Sequence, residues 1–119
     1  MYRVKTFMYF SSAHNLRNYN GNCENLHGHN WKVEAILQGE FLDETGMLVD
    51  FKILKKSLKD ILDRLDHKYL NDIDHFKTVN PTSENMAKYI FDELKKDFGD
   101  LVYKIVVWES HNAAAEYFE

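Results

Sequence analysis

One cysteine, one proline and five glycines are spread over 119 residues. The single thiol, Cys23, cannot close an internal disulfide; this excludes the cross-linked secreted scaffolds and makes a reducing compartment, the cytoplasm, the expected setting. So little proline and glycine, without repeats or low-complexity tracts, excludes a collagen-like or linker-rich chain. No apolar run approaches the roughly eighteen residues a membrane span requires. The opening MYRVKTFMYF alternates polar with apolar residues where a signal peptide has an unbroken apolar centre, so no export is expected. Basic residues are also short. With 15 Lys and Arg against 19 Asp and Glu, the formal net charge of -4 gives no general attraction to nucleic acid or to anionic membranes. The stretches KKSLKD and ELKKD mix both signs, as solvated helix faces do.

What is present is a core: 45% of residues are hydrophobic and 14% aromatic, enough for a single domain over 1–119 and too little for two. Residues 2 to 14 alternate as a strand, with Tyr2, Val4, Thr6, Met8 and Phe10 on one face. A second strand is expected from His29 to Gln38, where Trp31, Val33, Ala35 and Leu37 occupy the odd positions. Asp50 can cap a helix carrying Leu54, Leu58, Ile61 and Leu65 on one stripe. Thr82, after Pro81, can cap a second helix that buries Ala87, Ile90, Phe91, Leu94 and Phe98 and stops at Gly99. LVYKIVVW and AAAEYF complete a ββααββ order. This is an α+β domain, a four-stranded antiparallel sheet with two helices on one face. LVYKIVVW is apolar on both sides, Val102, Lys104, Val106 and Trp108 opposing Tyr103, Ile105 and Val107. The helices can cover only one side, so the expectation is that another subunit covers the other.

Chemistry-bearing residues gather in a few places. His27 and His29 are two apart, so on a strand both imidazoles point from one face, and His14 at the end of the first strand can be brought beside them. Three neutral imidazoles suit zinc with an open position. Cys23 as a fourth ligand would instead close the site, and two surface histidines about a turn glycine would bind nothing. Cys23 lies in a polar loop, YNGNCENLHGH, where a thiolate could act as nucleophile or base. Asp66 and His67 are adjacent; on a helix they would not face each other, and they can cooperate in proton transfer only if the helix has unwound there. Glu109 follows the apolar strand, where a carboxylate could take two N–H donors from a planar ligand. His75 and His111 read as surface residues, His111 the nearer to a site.

FSSAH (10–14), CENLHGH (23–29), GMLVDF (46–51), LDHKYLN (65–71), PTSEN (81–85), VVWES (106–110) and Tyr117, in this order, resemble the 6-pyruvoyltetrahydropterin synthase family almost end to end. The three residues between Cys23 and His27 are similar to its bacterial queuosine branch, the 6-carboxytetrahydropterin synthases. The animal enzymes have a longer gap, and folate-bypass members carry glutamate for the cysteine. Ser11 and Ser12 replace a commoner small pair, and Ser110 stands where threonine is usual. The resemblance implies the tunnelling fold (T-fold), whose subunits build a β-barrel as trimers that pair into hexamers with shared active sites. It implies Zn2+ on His14, His27 and His29, proton transfer by Cys23, Asp66 and His67, and a pterin held by Glu109. The implied substrate is 7,8-dihydroneopterin triphosphate, converted to 6-carboxy-5,6,7,8-tetrahydropterin, acetaldehyde and triphosphate without an external redox cofactor. Two alternatives stand beside it: 6-pyruvoyltetrahydropterin synthesis, which stops before carbon–carbon cleavage, and a non-enzymatic zinc-stabilised assembly module.

Overall fold

The alternation at the two ends of the chain folds into one sheet, and the two amphipathic segments between them lie across it. The computed structural model describes all of residues 1–119. Strands β1 (Tyr2–His14), β2 (His27–Gly39), β3 (Val102–Ser110) and β4 (Ala113–Phe118) pair antiparallel in the order β1-β2-β3-β4. Helices α1 (Phe51–Asp63) and α2 (Ser83–Phe98) connect β2 to β3, with three short 3-10 turns between and after them. The caps are those the sequence offers. The Asp50 carboxylate accepts from Lys52 N at 2.8 Å, Thr82 Oγ1 accepts from Asn85 N at 3.1 Å, and Gly99, at φ 56°, ends α2. No helix is long and apolar enough to cross a membrane.

Leu54, Leu58, Ile61 and Leu62 of α1 and Met86, Ala87, Ile90, Phe91 and Leu94 of α2 bury against Val33, Ala35, Leu37, Ile105 and Val107 of the sheet. Leu65 is fully buried as expected but lies beyond the end of α1, and Phe98 is only partly buried.

β2 begins at His27, two residues before the expected start, so the whole H-G-H motif is strand. The facing of β3 also differs from simple alternation. A register shift between Ile36 and Leu37 turns Val102 into the core together with Ile105 and Val107. Tyr103 is thereby on the uncovered face, where the Arg3 guanidinium lies 4.3 Å from its ring centroid. A bulge inserts one residue, and each side chain beyond it changes sides.

The uncovered face is less bare than its apolar residues suggest. Ile36 and Val106 are 6% and 4% exposed without a second layer over them. They form the floor of a depression of about 230 Å³ walled by Arg3, Lys5, Glu34, Lys104 and Glu116. Lys104 pairs with Glu116 at 3.0 Å, and Lys32 Nζ sits 4.4 Å from the Phe7 ring centroid. Long charged side chains thus shield apolar sheet by their stems.

Candidate functional site

β1 and β2 pair over their full thirteen residues, but β3 reaches only as far as the Lys32–Trp108 pair. Beyond it the two strands run on alone, and the alternation that puts Phe10 and Trp31 in the core puts the next residues on that same side. His14 stands opposite His27, and Ser12 opposite His29. Three imidazoles therefore converge, with ring centroids 4.7 to 5.2 Å apart. Glu109, next after Trp108 on β3, reaches the same place: its Oε1 is 2.9 Å from His29 Nε2 and 3.8 Å from His14 Nε2. One donor atom from each of these four residues lies within 4.8 Å of the others.

Two backbone carbonyls decide which ring nitrogens face inward. His14 Nδ1 is 2.8 Å from Pro81 O and His27 Nδ1 is 2.8 Å from Asn25 O. A carbonyl only accepts, so both Nδ1 atoms carry the proton and both Nε2 atoms present lone pairs. These two Nε2 atoms face each other at 3.1 Å with no proton between them. His29 Nε2 is buried and has no hydrogen-bond partner, the nearby Glu109 oxygen lying outside hydrogen-bond geometry. Converging lone pairs of this kind repel one another unless a cation lies among them, and the donor set fits a divalent metal. Burial is the main reason that His29 titrates below the ordinary imidazole range; Glu109 opposes the shift and His14 and His27 add to it. A neutral ring is the form that ligates. Trp31, fully buried, forms the floor: the His14 and His29 ring centroids are 4.9 and 5.0 Å from its own, and its Nε1 donates to Ser12 O at 3.2 Å.

Asp66 and His67 meet the condition that adjacency alone leaves open. α1 has ended at Asp63, and His67 adopts a left-handed backbone at φ 55°, so the two side chains turn toward each other. His67 Nδ1 is 2.9 Å from Asp66 Oδ2, and Asp66 Oδ1 accepts from Ser11 N at 2.8 Å. The Ser11 amide first, then His67, hold the Asp66 carboxyl below the usual carboxylate range. His67 N donates to Ser11 O at 2.6 Å, Lys68 N donates to Ser12 Oγ at 3.3 Å, and Ser12 Oγ donates to Leu65 O. The Ser11 backbone and the Ser12 hydroxyl therefore fasten this turn to the edge of β1.

Cys23 is exposed in the loop 15–26 and is not one of the four clustered donors. No hydrogen bond or ion pair within one chain joins Asp66 or His67 to Cys23 or to the histidines. His75 packs against Phe76 and Tyr89 on the surface. His111 lines an open depression with Tyr9, Lys32 and Trp108. Sequence reasoning did not find the Pro81 and Asn25 carbonyls, which no side-chain pattern announces, nor the place of Trp31 under the rings, which reads as ordinary core.

The description "6-pyruvoyl tetrahydropterin synthase" matches residues 3–119. The chain is 36% identical over 114 residues to the 6-carboxy-5,6,7,8-tetrahydropterin synthase of Synechocystis, covering 92% of this chain and 87% of that one. It is 39% identical over 114 residues to the human 6-pyruvoyl tetrahydrobiopterin synthase, covering 92% and 78%. The solved structure of the Caenorhabditis elegans 6-pyruvoyl tetrahydropterin synthase superposes with a TM-score of 0.87 at 30% identity, covering 99% and 95%. Relatives with either name stand at nearly the same identity, so overall identity does not choose between their products.

Proposed function

The chain belongs to the 6-pyruvoyl tetrahydropterin synthase family, and from that premise we propose that it is a zinc-dependent lyase of the queuosine pathway. With one water, which supplies the second carboxyl oxygen and the aldehyde hydrogen, it converts 7,8-dihydroneopterin triphosphate to 6-carboxy-5,6,7,8-tetrahydropterin, acetaldehyde and triphosphate. The observation that carries the reading is the convergence of a ring nitrogen from each of His14, His27 and His29, two of the rings oriented by carbonyls. The product is argued from the spacing of Cys23 to His27, three residues lying between them as in the queuosine branch.

His14, His27 and His29 would hold the zinc, which when bound would supply Lewis acidity toward the oxygens of the substrate side chain. The residues of the chain do the rest. Glu109 accepts N–H donors from the pterin ring and fixes its orientation. Cys23, as thiolate, removes a proton from the substrate side chain. Asp66, held by the Ser11 amide, keeps the His67 ring turned, and His67 exchanges protons as triphosphate leaves. Asp66 and His67 make no hydrogen bond or ion pair with their own Cys23, so the natural complement is the Cys23 of a neighbouring subunit. This fits a homo-oligomer with shared sites, and the family resemblance further implies a hexamer of paired trimers with the uncovered sheet face lining its barrel.

Incubating purified protein with the triphosphate substrate tests the reading. Acetaldehyde beside the carboxylated product supports it; a pyruvoyl product alone supports the second reading, 6-pyruvoyltetrahydropterin synthesis, which the human relative favours. Replacing Cys23 by alanine separates both from a structural zinc module. It should keep the metal and lower turnover by on the order of a hundredfold or more.

A further inference from the structure

The loop that carries Cys23 leaves His14 and returns at His27, and no strand pairs with its outer leg. Two asparagine side chains take the place of one. Asn71, 6% exposed, accepts from Asn15 N through Oδ1 at 3.1 Å and donates through Nδ2 to Asn15 O at 2.7 Å. Asn80 does the same for Arg17, accepting from its N at 2.9 Å and donating to its O at 2.9 Å. A carboxamide presents one acceptor and one donor side by side, as a strand residue does, so each asparagine completes one rung of a ladder without a strand.

The Asn15 rung continues inward. Asn15 Nδ2 donates to Glu24 O at 3.1 Å, Glu24 N donates to Leu16 O at 2.9 Å, and Leu16 N donates to Glu24 Oε1 at 3.2 Å. Glu24 directly follows Cys23. Asn80 is itself anchored, its carbonyl accepting from Asn85 Nδ2 at 2.9 Å in the first turn of α2. The next residue, Pro81, supplies the carbonyl that orients His14. One short segment therefore sets both a ring of the histidine trio and the path of the thiol loop.

We propose that Asn71 and Asn80 are positioning residues that hold Cys23 in register with the histidine trio by acting as substitute rungs for residues 15 and 17. This rests on the reading of Cys23 as the proton-transfer group. Neither residue touches the ring nitrogens that converge, so metal binding survives their loss while the thiol moves. A shift of about 1 Å in a reacting group is sufficient to lower turnover by on the order of a hundredfold.

The test uses Asn71→Ala and Asn80→Ala, with Asn71→Asp and Asn80→Asp as variants that keep shape and acceptor but set an oxygen against the Asn15 or Arg17 carbonyl. Four quantities are read: bound zinc, kcat, KM and the rate of Cys23 alkylation by iodoacetamide. The expected result is a kcat lowered roughly ten- to a hundredfold, KM within about threefold, zinc unchanged, and an alkylation rate altered at least about threefold. Unchanged kcat and alkylation in the Asp variants overturns the proposal, and so does zinc loss in step with activity. Cys23→Ala, run in parallel, separates the two levels. If it retains full turnover, the catalytic role of the thiol falls, and the alkylation rate alone then decides whether the asparagines hold the loop.

Discussion

Removing the metal from the histidine trio should lower thermal stability by an amount that can be worked out in advance. In the free protein two Nε2 lone pairs oppose each other at 3.1 Å, and the Nε2 atom of His29 is buried without a hydrogen-bond partner. Zinc added to chelator-stripped protein binds the folded chain alone, and at roughly a hundred times its Kd it stabilises by about 2.7 kcal/mol. A chain of 119 residues unfolds with an entropy of about 0.25 kcal/mol/K, at roughly 2.1 cal/mol/K per residue, so Tm should rise by about 11 °C. Differential scanning calorimetry with and without zinc measures it. His29→Ala should abolish the shift, and Cys23→Ala should leave it intact. Protons compete with the metal. As pH falls through the imidazole range the shift should shrink, the rings accepting protons in place of zinc. The free protein follows the same sign: His29 is depressed in the folded state, so the unfolded chain binds the proton first and stability drops as pH falls from about 6.5 toward the lower folded value. A shift that persists in His29→Ala, or disappears in Cys23→Ala, would refute the placement of the ligands.

Asp66→Asn should keep the Ser11 contact while removing the charge that faces His67, lowering kcat by about ten- to a hundredfold with zinc content unchanged; steady-state kinetics and metal analysis check both. Glu109→Gln should raise KM for the pterin substrate more than it lowers kcat, and should weaken zinc by no more than about tenfold, as read by competition with a chromogenic chelator. Trp31→Ala should destabilise by about 3–5 kcal/mol in urea unfolding and also weaken zinc, because the same ring is core and floor to His14 and His29.

The helices were legible because their signals are local: Asp50, Thr82 and Gly99 mark ends, and the leucine stripes mark faces. β2 starts two residues ahead of its apolar alternation because His27 and Gly28 carry no apolar signal. Simple alternation puts Val102 and Tyr103 on the wrong sides because it has no mark for a bulge that arises opposite Ile36 and Leu37. Strand geometry allows the histidine trio to meet without requiring it, whereas the contact between Asp66 and His67 depends on a left-handed residue that nothing in LDHKYLN requires. Asn71 and Asn80 could not be read at all, since what each asparagine does is decided by a backbone residue 56 or 63 positions away.

β1 and β2 outrun β3, so the imidazoles stand on a two-stranded promontory beside, rather than inside, the layer that α1 and α2 clamp. The promontory is nevertheless footed on the interior through one indole, Trp31, so any rearrangement of the core that tilts that ring is transmitted to the imidazoles resting on it.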